Sequence, residues 1–243
     1  MPPLLRLQTV WLPTLWGWFA LLVASGATLV ALAFGANAWL APNQPLSHRL
    51  EQDGARILIV EGWLDEADLM QAIEAFRRGR YERIVTTGGP MDGWVGVQSW
   101  RTYADRSASY LRQNGLGSVR IDAVPAPASQ QDRTFLSAVM VREWAKHSGV
   151  ALHTVDLFSA GVHARRSHRL FQMAFGADVQ VGVLASRPLD VDPEHWWRSS
   201  AAAKAVLGEL LSVAWTTCCF WPPQPGSHDE QWAQPASASA PPR

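Results

Sequence analysis

A short basic segment at residues 159–169, SAGVHARRSHR, carries the side chains best suited to holding an anion. It follows an apolar run and places His163, Arg165 and Arg166 in the first turn of a predicted helix. The dipole of a helix favours an anion at its N-terminus, so cations placed there lower the stability of the helix. A bound phosphate or carboxylate would offset that cost through bidentate guanidinium contacts. The segment therefore predicts an anion site, with a solvated basic helix face as the alternative.

A pair of glycines, Gly88 and Gly89, follows a second apolar run in the sequence TTGGP. Without side-chain bulk, their backbone N–H groups can approach an anion closely, as in a phosphate cradle. An ordinary tight turn is the alternative. Neither the dinucleotide fingerprint nor the P-loop pattern follows any predicted strand, so the standard forms of those nucleotide sites are not expected.

Two carboxylates also lie next to the ends of predicted strands or the starts of predicted helices, and they are candidate general bases. Glu61 directly follows the first apolar run, beside a glycine, and Asp132 opens a predicted helix together with Arg133 and Thr134. Asp132 is also a natural N-cap, whose carboxylate would accept from backbone N–H groups. Thr134 could donate to a ligand or bond within the first turn. We expect Glu61, Asp132 and His163 as catalytic candidates, and as ligand-binding residues Gly88, Gly89, Arg133, Thr134, Arg165 and Arg166.

Other common sites are not indicated. His163 and His168 are five residues apart and fall on different helix faces, and no C-x-x-C pair exists, so no metal site is expected. The two cysteines, Cys218 and Cys219, are adjacent, and neighbours rarely meet the geometry of a disulfide. The G-x-S-x-G sequence of one hydrolase class is missing too. No cofactor is predicted from the residues.

Strands and helices alternate along the chain in a way that would bring these residues together. The predicted strands are 56–60, 83–87, 119–124, 152–158 and 179–184, and the predicted helices are 65–80, 97–113, 133–147, 163–175 and 193–217. Alternation of this kind predicts an α/β fold with a Rossmann-like parallel sheet of about five strands and helices on both faces. Ligands of such sheets bind beyond the carboxyl ends of the strands, where the candidate residues lie.

A long apolar segment near the N-terminus predicts a membrane anchor at residues 14–40. No charged side chain occurs between Pro13 and Pro42, a run long enough to cross a bilayer with some tilt. Tryptophans flank the run, as in an aromatic belt, at Trp11, Trp16, Trp18 and Trp39. Cleavage at the A-x-A sequence of residues 36–38 is the alternative. A second apolar stretch, 201–221, contains Lys204 and Glu209, which favour a packed or amphipathic helix over a second span.

The chain is electrically balanced, with 21 basic and 21 acidic residues, which argues against nucleic acid as a partner. The predicted organisation is a short tail (1–13), the anchor (14–40), a linker (41–54), one α/β domain (55–221) and a disordered tail (222–243). The lipid bilayer is the first expected partner.

These motifs together resemble the YdcF-like family of bacterial proteins, which includes SanA and ElyC. The resemblance covers residues 56–213 and rests on VEGW at 60–63, the glycine turn, DRT at 132–134 and GVHARRS at 161–167. It implies a Rossmann-like domain and, as in SanA and ElyC, an inner-membrane anchor, a periplasmic domain and a part in cell-envelope or peptidoglycan biogenesis. The family's acid after the glycine turn has no counterpart in residues 91–100, and its glutamate before the threonine segment is replaced by QQD at 130–132.

The expected function is therefore that of a membrane-anchored envelope protein whose strand-end pocket takes a small anionic, phosphate-bearing or lipid-linked ligand. One alternative is a non-catalytic scaffold or regulator that recruits envelope proteins. Another, implied by the resemblance, is a protein that binds S-adenosylmethionine.

Overall fold

Five parallel strands form the centre of the protein. The computed structural model describes residues 12–47, 56–91, 100–129, 132–188, 192–227 and 230. The strands are β1 (Ile57–Glu61), β2 (Arg83–Gly88), β3 (Arg120–Pro125), β4 (Thr154–Ser159) and β5 (Gln180–Ala185). They lie in the order β3-β2-β1-β4-β5, and every neighbouring pair is parallel. The predicted five-stranded parallel sheet is confirmed.

In the described residues the sheet is accompanied by six helices: α1 (Leu15–Leu40), α2 (Glu66–Arg78), α3 (Tyr103–Leu111), α4 (Arg133–His147), α5 (Ala164–Phe175) and α6 (Ser200–Cys218). A π-helical turn at Arg112–Leu116 extends α3, and 3-10 turns at Gly161–His163 and Pro193–Arg198 precede α5 and α6. The helix expected from residue 97 begins at Tyr103, and residues 92–99 lie outside the described part of the chain.

Both faces of the sheet are covered because strand side chains alternate between them. Ile57 and Ile59 of β1 belong to a buried cluster with α4 and α5, whereas Leu58 and Val60 belong to a second cluster with α2 and α3. The first cluster includes Phe135, Val139, Leu170 and Phe171, and the second includes Leu69, Ile73, Ala108 and Leu111.

Helix α1 is long and apolar enough to cross a membrane, and in the described residues no other helix meets that criterion. Most of its side chains are exposed, but Leu40 at its end is buried against Trp196, Ala202 and Val206. The late apolar stretch forms α6, which packs on the domain as expected. Cys218 and Cys219 at its end are joined by a disulfide, so the expectation that these neighbours would not bond is wrong.

The segment after α1 is attached to the sheet by a buried carboxylate. Asp156 of β4 is fully buried and accepts from the backbone N–H of Leu46 (2.7 Å), the N–H of Ser47 (3.0 Å) and the Tyr81 hydroxyl (2.7 Å). Gln44 also pairs with Val183 of β5. Part of the predicted linker, residues 41–47, is therefore fixed to the domain, while residues 48–55 lie outside the described chain.

The domain extends past residue 221 into the segment predicted to be disordered. Glu230 is buried, and its carboxylate accepts from Arg142 of α4, with 2.9 Å between Arg142 Nη1 and Glu230 Oε1. The N–H of Gly226 donates to the same carboxylate at 2.6 Å. These bonds hold Gly226 and Glu230 against Arg142 of α4.

Replacing Glu230 with alanine is expected to lower the free energy of unfolding by about 2 kcal/mol. The loss is smaller than for a buried cation with no acceptor, because Arg142 has other acceptors. Arg142 keeps Glu143 and the carbonyl of Ala174. Urea denaturation of the full chain in detergent measures the change. Glu74→Ala, which removes an exposed carboxylate on α2, is the matched control and should change stability little. Equal effects of the two variants would contradict a stabilising role for the buried pair.

Candidate functional site

The predicted site residues, with one exception, line a single cleft at the carboxyl ends of the strands. The cleft has a volume of about 1080 Å³ and lies between the sheet edge, the start of α4, the start of α5 and one side of α6. Its lining includes Glu61, Gly88, Gly89, Asp132, Arg133, Thr134, His163 and Arg166. The fold thus brings together predicted site residues that are far apart in the sequence: Glu61 and Arg166 are separated by 105 positions.

Glu61 lies where the strand order reverses, between β1 and β4. Its carboxylate is buried and accepts from the hydroxyl of Ser159 at the end of β4 and from that of Ser167 in α5, the latter at 3.0 Å. The two hydroxyls occupy two of the roughly four lone-pair positions of a carboxylate. Glu61 therefore retains acceptor capacity on the cleft floor, without a cation bonded to it among the described residues.

Two glycines let the β1 and β2 ends approach each other closely. The N–H of Gly62 donates to the carbonyl of Thr87 at 2.6 Å, and a Cβ at position 62 would come within 2.6 Å of the Tyr103 carbonyl. Gly88 has φ of 154°, a conformation that side chains rarely adopt. These contacts explain the glycines structurally and place Glu61 and the backbone of Gly88 at the cleft.

Asp132 occupies the N-cap position of α4, as predicted, but its side chain makes no capping hydrogen bond. Its backbone is left-handed, with φ of 47°, which makes it the one described non-glycine residue with positive φ. Burial raises the pKa of the Asp132 carboxyl, and the positive charge of Arg166 partly opposes the shift. Because the capping hydrogen bond is absent, capping does not account for Asp132. Strained backbone of this type is frequent at functional sites.

Arg166 and His163 are paired with an acid that the sequence did not single out as a site residue. Arg166 donates through Nε to Glu209 Oε2 at 2.9 Å and through Nη2 to Oε1 at 3.2 Å. His163 Nδ1 lies 2.9 Å from Glu209 Oε1. Burial alone would raise the pKa of Glu209, but the hydrogen bonds and positive charge of His163 and Arg166 outweigh it and lower that pKa to about 2. A carboxylate of the protein thus occupies the expected anion position.

Arg165 is the exception, because it does not line the cleft. Its guanidinium lies over the ring of Trp39, 4.2 Å from the ring centre, and its Nε donates to the Trp39 carbonyl. Arg165 and Arg166 are adjacent on α5, and adjacent residues on a helix point about 100° apart, so the two side chains face different sides. The expectation that Arg165 binds the ligand does not fit this position: it contacts the end of α1.

Several residues of the cleft were missed by sequence reasoning. Ser159 and Ser167 hold Glu61, while Lys204 and Glu209 enter the lining from α6. The signal for the last two was available: they are the charges that interrupt an otherwise apolar helix. Trp63 is partly exposed and meets His163 edge-on at 5.0 Å, whereas Trp196 is buried in the core. Trp94, Gln130 and Gln131 lie outside the described residues.

Both acidic and basic side chains line the cleft, a combination that suits proton transfer and recognition of a polar ligand. Arg133, Arg166 and Lys204 supply positive charge, and the facing acids are Glu61, Asp68, Asp132 and Glu209. Burial also raises the pKa of Asp68, although a hydrogen bond from Ser186 opposes the shift. No group of three or more His, Cys, Asp or Glu side chains placed to hold a metal ion occurs in the described part of the chain.

Neither a family model nor a curated protein matches this sequence.

Proposed function

We propose that this chain is a single-pass protein of the bacterial cell envelope, anchored by α1, whose cleft binds a phosphate-bearing ligand. In this proposal the sheet is Rossmann-like, the protein is a member of the YdcF-like family, and the domain lies on the periplasmic side of the inner membrane. The ligand belongs to envelope or peptidoglycan biogenesis. The observation that supports it best is the convergence of three basic side chains and the glycine turn on one cleft.

The position of the cleft supports ligand binding. In open parallel sheets, ligands bind outside the carboxyl ends of the strands, at the point where the strand order reverses. Here that point is the boundary between β1 and β4, where Glu61 meets Ser159. The backbone at Gly88 and Gly89 and the first turn of α4, with Arg133 and Thr134, surround the same space.

Binding of a phosphate group at Arg166 would require exchange of partners. In the present structure Glu209 occupies the planar guanidinium fork that would receive the phosphate oxygens. A phosphate would replace the Glu209 carboxylate at Arg166. Lys204, which is on α6 like Glu209, would supply a second positive charge. Glu209 is then an internal competitor for Arg166, and Glu61 or Asp132 is the candidate general base.

A non-catalytic scaffold is the second candidate, and the same ion pair favours it. If Glu209 serves only to dock α6 on α5, then His163 and Arg166 are already satisfied and no ligand is needed. The two candidates differ in whether removal of the Glu209 charge strengthens anion binding or only weakens the fold.

Calorimetric titration of the full chain in detergent with pyrophosphate tests the proposal, with a nucleotide sugar and S-adenosylmethionine as further probes. Arg166→Ala should weaken pyrophosphate binding at least tenfold, since a charge-assisted contact contributes about 1.5–3 kcal/mol. Arg165→Ala is the matched control, an arginine on the same helix that points away from the cleft, and should bind as the wild type does. Glu209→Gln should bind pyrophosphate more tightly.

Equal losses in the two arginine variants, or no heat with pyrophosphate and the nucleotide sugar, would overturn the anion pocket. Binding of S-adenosylmethionine alone would favour a protein that uses that methyl donor. Weaker binding in Glu209→Gln would mean that Glu209 positions Arg166 and does not compete for it.

A further inference from the structure

Helix α6 carries an apolar stripe that the described chain leaves largely exposed. Leu207, Leu211 and Trp215 are 53%, 74% and 49% exposed. Their spacing of four residues places them on one side of the helix, since 3.6 residues make a turn. Isolated exposed apolar residues are common, but a continuous stripe of large ones marks a contact surface.

The other two sides of α6 already have partners. Ala202, Val206 and Val213 pack in a buried cluster with Leu40 of α1. Lys204, Gly208, Glu209 and Ser212 line the cleft. The apolar stripe is a third side, next to the cleft side, so neither core packing nor the ligand site explains it.

The stripe belongs to a helix that begins beside the candidate membrane span. The ring of Trp197, three residues before the start of α6, meets Phe34 of α1 edge-on at 4.8 Å. Phe34 lies six residues before the end of α1, which corresponds to roughly 9 Å along the helix. The chain that leads into α6 therefore runs alongside the last turns of α1, which places it at the level of the membrane boundary if α1 spans the bilayer.

Four tryptophans mark the end of α1 and the course of α6: Trp39 is in the last turn of α1, Trp197 precedes α6, Trp215 is on it and Trp221 follows it. Trp39, Trp197, Trp215 and Trp221 are all exposed. Indole rings prefer the boundary between lipid and water, where one end of the ring can stay hydrated. Arg165 stacks on Trp39, a position from which a long cationic side chain can reach lipid phosphates.

We infer that the exposed stripe of α6 lies in the interfacial layer of the lipid bilayer, beside the point where α1 leaves it. The inference rests on the membrane anchoring proposed above, but not on the identity of the ligand. Because the stripe adjoins the cleft side of α6, the cleft then opens at the membrane surface. A phosphate group carried by a membrane lipid would reach Lys204 and Arg166 without the lipid leaving the bilayer.

Spin labelling of the full chain in vesicles of phosphatidylcholine and phosphatidylglycerol tests this inference. Leu211→Cys reports on the stripe and Leu29→Cys on α1, both in a background with Cys218→Ser and Cys219→Ser. Gln113→Cys is the matched control, an exposed position on the turn after α3, at the opposite edge of the sheet. The accessibility of each nitroxide to oxygen, which concentrates in lipid, is compared with its accessibility to a water-soluble nickel chelate.

The expected result is a ratio of oxygen to nickel accessibility that is several-fold higher at positions 29 and 211 than at position 113. A lipid-like ratio at position 29 with a water-like ratio at position 211 would overturn the inference and leave the anchor intact. A water-like ratio at position 29 would overturn the anchor itself. A label at position 211 shielded from both reagents would mean that a second copy of the chain covers the stripe, which also overturns contact with lipid.

Discussion

Substituting Asp156 by alanine is expected to lower the free energy of unfolding by about 4 kcal/mol, because three donors, two of them buried, lose a shared charged acceptor. The donors are the N–H groups of Leu46 and Ser47 and the hydroxyl of Tyr81. Burial and the charge of Asp156 raise the pKa of Tyr81, so its hydroxyl stays protonated and continues to need an acceptor. Urea denaturation of the full chain in detergent measures the loss.

The same substitution should also release the segment that joins the anchor to the domain. Residues 44–47 are held by Asp156 and by the pairing of Gln44 with Val183, so the variant should become more sensitive to limited proteolysis in that segment. Glu82→Ala, which removes an exposed carboxylate that pairs with the exposed Arg56, is the control and should have a small effect. If both variants unfold at the same urea concentration, Asp156 does not fix the anchor segment.

The pairing of Glu209 predicts a loss of stability in acid. Its folded-state pKa of about 2 lies below its ordinary value of 4.5, so the ionised carboxylate stabilises the folded protein. This contribution, at most about 3 kcal/mol, is complete above pH 4.5 and is lost as the pH falls towards 2. Protonation of Glu209 would release His163 and Arg166 and weaken the attachment of α6.

Glu209→Gln should lack this part of the pH dependence. At pH 7 it should be less stable than the wild type, and the difference should shrink as the pH falls from 5 to 2, since the wild-type carboxylate is protonated in that window. Chemical denaturation at a series of pH values measures both proteins. Glu74→Gln, which neutralises an exposed acid on α2, accounts for general charge effects. Parallel curves for the wild type and Glu209→Gln would show that the ion pair does not stabilise the fold.

The order of strands and helices was predictable because each element has its own local pattern. Short β-branched runs predicted all five strands to within two residues at each end, and helical spacing predicted α2, α4 and α5 closely. Helix boundaries were less well predicted near α3, where the chain begins the helix at Tyr103 and ends it in a π-helical turn. The apolar length of α1 was evident from composition alone.

The candidate site was predictable only in part. Glu61, Gly88, Asp132 and Arg166 follow strands or open helices, and parallel strands bring such positions to one edge. The directions of the side chains were not predictable from the sequence. Arg165 and Arg166 are adjacent and alike in sequence, yet one contacts the anchor and the other the cleft, because helix rotation and the packing of α5 decide which side each faces.

By itself, the sequence determined the apolar helix near the N-terminus, the alternating strands and helices, and the set of polar residues at strand ends, since all of these depend on local composition and spacing. Only the tertiary structure decided the partners: Asp156 with the anchor segment, Glu230 with Arg142, and Glu209 with Arg166. Each pair joins residues at least 43 positions apart. No local pattern encodes such contacts, because they exist only after separate elements pack together. The basic segment that first indicated an anion site is, in the folded protein, already bound to an acid from the last helix.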